Sequence, residues 1–242
     1  MIDYRNIDLI SAFKEYLDNF CYDAIYQILS GEINYLYNPW QAYEALNTSL
    51  LGLERKKQTV FKLLLLGQQI NINEAIEDMG ETIVKILADL GVIIVDNGLI
   101  RTDGYSLLSF CDHYFLVGLP YFYPTNIEKD PAVYIGVDTY RLVRLLPSKK
   151  VNSMLDLCTG SGIQAILGSR SANNVIGVEI NNQASAVTKF NVNLNNLQNK
   201  INIIEGNLYE PVIGKTFDVI TANPPFIPVP ENIKYSIAGD GG

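Results

Sequence analysis

Met-Leu-Asp-Leu-Cys-Thr-Gly-Ser-Gly (Met154 to Gly162) opens the stretch, Val151 to Pro230, that decides the fold of this chain. Asp-Val-Ile-Thr-Ala-Asn-Pro-Pro-Phe (Asp218 to Phe226) lies near its end, and Val-Ile-Gly-Val-Glu-Ile (Val175 to Ile180) lies between. Three short apolar runs, each stopping at polar or Gly-rich residues with helical sequence between, predict a parallel sheet with crossover helices. In such sheets the ligand sits beyond the carboxyl ends of the strands. Asp156, Gly160, Gly162, Glu179 and Asn223 all fall there and are expected to converge on one pocket.

The residue types narrow what that pocket takes. Gly160 and Gly162 follow a strand that stops at Leu157, and they let the backbone approach a ligand before turning into a helix. Glu179 follows Asp156 by 23 positions, the distance at which the next strand presents a carboxylate to a ribose diol. Gly160-Ser161-Gly162-Ile163-Gln164-Ala165 also satisfies the G-x-G-x-x-A fingerprint of nicotinamide dinucleotide sites, so the loop alone leaves two cofactors open. Asn223-Pro224-Pro225-Phe226 separates them, because nothing in hydride transfer needs that tetrad. Its bland reading is a Pro-rich turn closing a strand.

Together these motifs resemble the class I S-adenosylmethionine-dependent methyltransferases, in the "methyltransferase small" or HemK-like branch that carries an Asn-Pro-Pro-aromatic tetrad. That branch includes protein-glutamine N5 methyltransferases and several RNA and DNA amino-methyltransferases. The resemblance covers roughly Tyr134 to the end. It implies an α/β, Rossmann-like sheet with S-adenosyl-L-methionine as cofactor and no metal. It also implies that Asp156 faces the methionine ammonium, that Glu179 takes the ribose hydroxyls, that Asn207 meets the adenine edge, and that Leu208 is a further cofactor contact. Cys158 stands where the loop usually has its first glycine, and Asn207 where Asp is more frequent. Asp138 and Thr139, at the start of the helix leading into the sheet, would skirt the cofactor.

Asn223, Pro224, Pro225 and Phe226 would carry the chemistry. Methyl transfer from a sulfonium needs a nitrogen lone pair in line with the S–CH₃ bond, and positioning supplies much of the rate. An amide or ring-attached NH₂ has a delocalised lone pair and must be gripped by acceptors. The Asn223 side-chain oxygen and the Pro224 carbonyl would accept its two hydrogens, with the Phe226 ring stacked on a flat group. The expected substrate is therefore a planar or amide nitrogen, of a protein glutamine or a nucleic-acid base. Two other readings stay open: a small-molecule methyltransferase with a dimerisation or lid domain, and a non-catalytic binding protein with a degenerate cofactor site.

The family sheet has seven strands in the order 3-2-1-4-5-7-6. This sequence supplies four, near 153–157, 175–179, 200–205 and 217–222, and only 16 residues follow Phe226. An incomplete sheet is the expectation, in a fragment or in a chain completed by another, with the 242 residues alone a poor enzyme. A Gly-Asp-Gly segment at Gly239 to Gly241 matches what precedes the next family helix.

Residues 1–120 read as a separate, mostly helical domain, 121–135 as a linker, and 136–242 as the methyltransferase part. Apolar spacing predicts one helix over Ile7 to Leu29, another near Pro39 to Leu51, and a third capped by Thr59 and ended by Gly67. Helices at Asn73 to Met79 and Glu81 to Leu90, then Val92 to Val95, Asp96-Asn97-Gly98 and Leu99 to Arg101, complete a winged-helix-like order. Strands follow at Ser106 to Phe110 and Tyr114 to Val117.

Winged helices suggest DNA, but charge argues against it here. Residues 1–120 hold 8 Lys and Arg against 16 Asp and Glu, while residues 121–242 hold 10 against 10. Phosphate binding depends on Lys and Arg, so the domain reads as a scaffold, lid or homodimer module that does not bind DNA by itself. Tyr121, Phe122 and Tyr123 form an aromatic loop suited to a cleft or to packing. Cys21, Cys111 and Cys158 have neither metal nor disulfide-framework spacing, which favours a reducing, cytoplasmic compartment. His113, the single His, fits a strand surface, and the Asn residues of a helix over Ala184 to Asn196 fit a solvated face.

Overall fold

The structure, a computed structural model, describes residues 2–31, 39–119 and 133–226. The chain divides into two compact units, Met1–Lys129 and Asp130–Gly242. The aromatic loop at Tyr121, most of the expected linker, and the Gly239 to Gly241 segment lie outside the described residues.

The first unit opens with α1 (Ile7–Asn19), α2 (Tyr22–Gly31), α3 (Pro39–Leu50) and α4 (Arg55–Leu64). The single helix expected over Ile7 to Leu29 is two. Phe20 ends α1, and Cys21 takes a left-handed φ of 57°, so α2 restarts in a new phase. Its buried face is Tyr22, Tyr26 and Leu29, while Ile28 points to solvent. Tyr22 stacks on Phe61 with ring centroids 4.4 Å apart and donates its hydroxyl to the Leu107 carbonyl at 2.8 Å. One aromatic with a polar tip thus joins three elements.

Thr59 is not a cap but an interior residue of α4. It is buried and donates to Asp78 at 2.7 Å, and Arg55 pairs with the same carboxylate at 2.7 Å. That carboxylate belongs to α5 (Ile72–Met79), which follows β1 (Ile70–Asn71) and precedes α6 (Glu81–Asp89). Strands β2 (Ile93–Asp96) and β3 (Leu99–Thr102) then join β1 in an antiparallel sheet of order β1-β3-β2. Asn97 and Gly98 make the two-residue turn, both at positive φ as its twist requires.

A second hairpin, β4 (Tyr105–Phe110) and β5 (His113–Gly118), turns on Cys111 and Asp112, again both left-handed. His113 opens β5, its Nδ1 2.6 Å from the Cys111 carbonyl oxygen. Ser106 donates to the Leu65 carbonyl at 2.6 Å and ties this hairpin to the end of α4. Among the described residues, no helix is long and apolar enough to cross a membrane.

The second unit runs α7 (Val137–Val143), β6 (Val151–Leu157), α8 (Ile163–Gly168), β7 (Ala172–Glu179), α9 (Asn182–Leu194), β8 (Ile201–Glu205) and β9 (Val219–Ala222). All strand pairs are parallel, in the order β8-β7-β6-β9. In chain order that is 3-2-1-4. The chain builds outward from β6 to one side and then crosses to the other, so the ends of β6 and β9 form a switch point. Met154, Leu155 and Leu157 of β6 are all buried, as a strand covered on both faces requires. Leu155, Leu157, Val178 and Val212 form one core cluster, with Ile176 and Phe217 packed against it.

Among the described strands β9 pairs only with β6, and Ile220 is 48% exposed. The α9 expectation changes, because its Asn face is not solvated throughout. Asn191 is fully buried and works on the glycine loop, as shown next.

Candidate active site

The carboxyl ends of the four strands lie side by side. Register pairs Glu179 with Glu205 and Leu157 with Ala222, so Cys158, Ile180, Gly206 and Asn223 are the residues that leave the sheet there. The loop after β6 makes the tightest turn. Cys158, Gly160 and Gly162 have φ of 54°, 53° and 79°. A glycine in place of Cys158 would adopt this conformation without the steric cost borne by a side chain.

Every part of the loop is fastened. The Thr159 N–H donates to the Val178 carbonyl at 3.1 Å, and the Gly162 N–H to the Thr159 carbonyl at 2.8 Å. Two residues of α9, three apart and therefore on one face, reach the loop carbonyls: the Thr188 hydroxyl donates to Gly160, and Asn191 Nδ2 to Ser161 at 2.9 Å. Glu179 takes the Gly160 N–H at 2.9 Å with one oxygen and the Asn181 N–H at 3.0 Å with the other. A carboxylate has about four lone-pair sites. Glu179 therefore keeps acceptor capacity for hydroxyls while holding the loop.

Asp156 does not face a ligand as expected. It is 1% exposed, and its oxygens accept the Thr159 hydroxyl at 2.7 Å and the Thr221 hydroxyl at 2.6 Å. Its carboxylate ties β6 to the loop and to β9. Burial pushes its pKa up to about 6, partly offset by hydrogen bonds from Thr221, Thr159 and the Ala165 amide, with the Glu179 charge a further raising influence. A carboxyl whose folded pKa is raised stabilises the fold below its unfolded pKa, and that stability is lost as pH rises through the folded value. Urea midpoints should therefore fall between pH 3.8 and about 6. Asp156→Asn should flatten this part of the curve, and an unchanged slope would refute the assignment.

On the neighbouring strands, Asn207 is exposed and donates to Glu210 at 3.2 Å, so it is not committed to the loop. Leu208 is exposed at a left-handed φ of 46°. Ile180, absent from the sequence-based candidates, is 70% exposed directly after Glu179. Its apolar side chain, just past the strand beside the one that leads to Leu208, suits a flat ring. The signal was its position: the residue after the strand-end acid.

At the other side of the switch point, Asn223 leaves β9 partly buried. Its Nδ2 donates to Asp138 at 2.6 Å and lies 3.5 Å from Thr139 Oγ1. Asp138 and Thr139 therefore meet the first residue of the tetrad. Thr139 is itself buried and accepts the Gly136 N–H at 3.3 Å, which fixes the first turn of α7. Pro224, Pro225 and Phe226 follow exposed, beyond the end of the strand. Burial and the Glu179 and Asp156 charges push the Cys158 thiol up, so it is no ready nucleophile.

The sequence pattern of the methyltransferase small domain matches residues 132–238. A protein of Methanocaldococcus jannaschii, provisionally named a protein N5-glutamine methyltransferase, is 36% identical over 123 residues, which is 48% of this chain and 61% of that one. The release factor glutamine methyltransferase of Thermodesulfovibrio yellowstonii is 33% identical over 48% of this chain and 45% of its own length. This chain thus spans between about half and three-fifths of these two relatives. Among solved structures, the SAM-dependent methyltransferase of Agrobacterium tumefaciens covers 59% of this chain and 49% of its own, at 18% identity and a TM-score of 0.40. The family match over residues 132–238 and these relatives support a class I S-adenosylmethionine-dependent methyltransferase of the methyltransferase small domain branch.

Proposed function

We propose that the protein transfers a methyl group from S-adenosylmethionine to an amide or ring-attached nitrogen, with a protein glutamine side chain as the favoured acceptor. The observation that carries this is Asn223. It stands at the carboxyl end of β9, next to the strand that bears the glycine loop, with its NH₂ held by Asp138. A held NH₂ leaves the amide oxygen to accept. The names of the glutamine methyltransferases above support the acceptor class.

The residues present fit the cofactor. Glu179 offers acceptor capacity to a ribose diol, Ile180 and Leu208 offer apolar surface to a purine, and the left-handed turns at Cys158, Gly160 and Gly162 leave the loop backbone open to close approach. S-adenosylmethionine, when bound, supplies an electrophilic methyl group on a sulfonium. The chain's own residues orient the acceptor. Asn223 Oδ1 and the Pro224 carbonyl take the two hydrogens of the target NH₂, and Phe226 covers its flat face.

The first unit is read as a scaffold or dimerisation module of winged-helix order, since its acidic excess disfavours phosphate backbones. A reducing, cytoplasmic setting, with Cys21, Cys111 and Cys158 outside any disulfide, belongs to the same reading. The test is incubation of the protein with methyl-labelled S-adenosylmethionine and, in parallel, a glutamine-containing peptide, RNA and free amino acids. Label in the peptide, on the side-chain nitrogen, is the expected result. Label only in RNA or in free amino acids overturns the acceptor assignment.

A further inference from the structure

We propose that Asp138 is a positioning residue that fixes which way the side-chain amide of Asn223 points. This rests on the reading of Asn223 as the acceptor-gripping residue. A primary amide is nearly symmetric in shape, and a half-turn about its last bond exchanges oxygen for NH₂. In the wrong orientation Asn223 would present N–H groups to the N–H groups of its target. A carboxylate accepts and never donates, so the 2.6 Å contact with Asp138 Oδ2 admits only the Nδ2 side.

The support is built in. Asp138 lies in the first turn of α7, and the Thr139 hydroxyl beside it takes the Gly136 N–H while lying 3.5 Å from the same Nδ2. Among the described residues, none donates to Asn223 Oδ1. A charged acceptor on Nδ2 also polarises the amide and strengthens its oxygen as an acceptor. Asp138 thus acts on the substrate through Asn223 without touching it.

Two measurements on the full ¹⁵N-labelled chain test this. The first is the side-chain NH₂ resonance of Asn223, assigned by its disappearance in Asn223→Ala. The second is calorimetric affinity for S-adenosylmethionine. One Asn223 NH₂ proton should lie downfield of the other Asn side chains and return among them in Asp138→Ala. Asp138→Asn, which keeps shape but accepts either orientation, should give two exchanging signals. Cofactor affinity should stay within about threefold in both variants. An Asn223 resonance unmoved in Asp138→Ala overturns the proposal. So does a tenfold or greater loss of cofactor affinity, which would place Asp138 on the cofactor. Normal turnover in Asn223→Ala would instead remove the reading of Asn223 and leave the Asp138 contact standing.

Discussion

Asn223→Ala should lower kcat by about 10²–10³, roughly 3–4 kcal/mol of barrier, the scale seen when one positioned transition-state hydrogen-bonding group is removed. Its affinity for S-adenosylmethionine should hardly change. The reason is where the side chain sits. Asn223 belongs to β9 and is bonded to Asp138 of α7, whereas the loop carbonyls and the Gly160 amide are fastened by α9 and Glu179. Its removal leaves that fastening intact but frees the acceptor nitrogen to rotate away from the line of attack. An interaction used mainly in the transition state lowers kcat rather than cofactor binding. Single-turnover methyl transfer at saturating cofactor is the measurement. A variant that loses cofactor binding but keeps normal turnover contradicts the assigned role.

Gly162→Val should unfold the second unit more easily, by about 2–5 kcal/mol. Two costs add. A side chain at φ 79° carries about 1–2 kcal/mol of left-handed strain, more for a β-branched residue. A Cβ there would also stand 2.7 Å from Thr188 Cγ2. Thr188 cannot swing aside cheaply, because its hydroxyl is bonded to the Gly160 and Ala184 carbonyls and the residue is fully buried. Overpacking of this kind costs typically about 1–3 kcal/mol. Urea unfolding should show the lowered midpoint, and Thr188→Ala in the same chain should recover part of it. Equal midpoints for Gly162→Val and the parent would mean that the loop is not packed as described.

The second unit was largely legible in the sequence, and the reasons are local. Apolar runs that stop at Gly-rich or acidic residues placed β6, β7 and β9, and the Gly160–Gly162 spacing placed the turn. What escaped depended on distant partners. Asp156 looks like a ligand-facing acid in sequence, yet Thr221, 65 residues away, meets it from β9 and turns it inward. In sequence Asn191 and Thr59 read as solvated and capping residues, the roles that polar residues on helices usually take. Their true partners, the Ser161 carbonyl and Asp78, are set by packing between elements.

In the first unit the break at Cys21 had no composition signal, since cysteine is not a residue that announces a left-handed turn. Asp138 was placed near the cofactor by resemblance. Its contact with Asn223 depends on β9 lying beside β6, a pairing of segments far apart in sequence.

The most direct test of the account is calorimetric titration of the full chain with S-adenosylmethionine and, separately, with NADH, repeated in Glu179→Ala. The glycine loop alone is compatible with either ligand, so their comparison decides the reading. S-adenosylmethionine should bind, NADH should not, and Glu179→Ala should weaken binding by about 1.5–3 kcal/mol, the scale of hydrogen bonds to a charged group. Tight NADH binding with no heat from S-adenosylmethionine would contradict that reading.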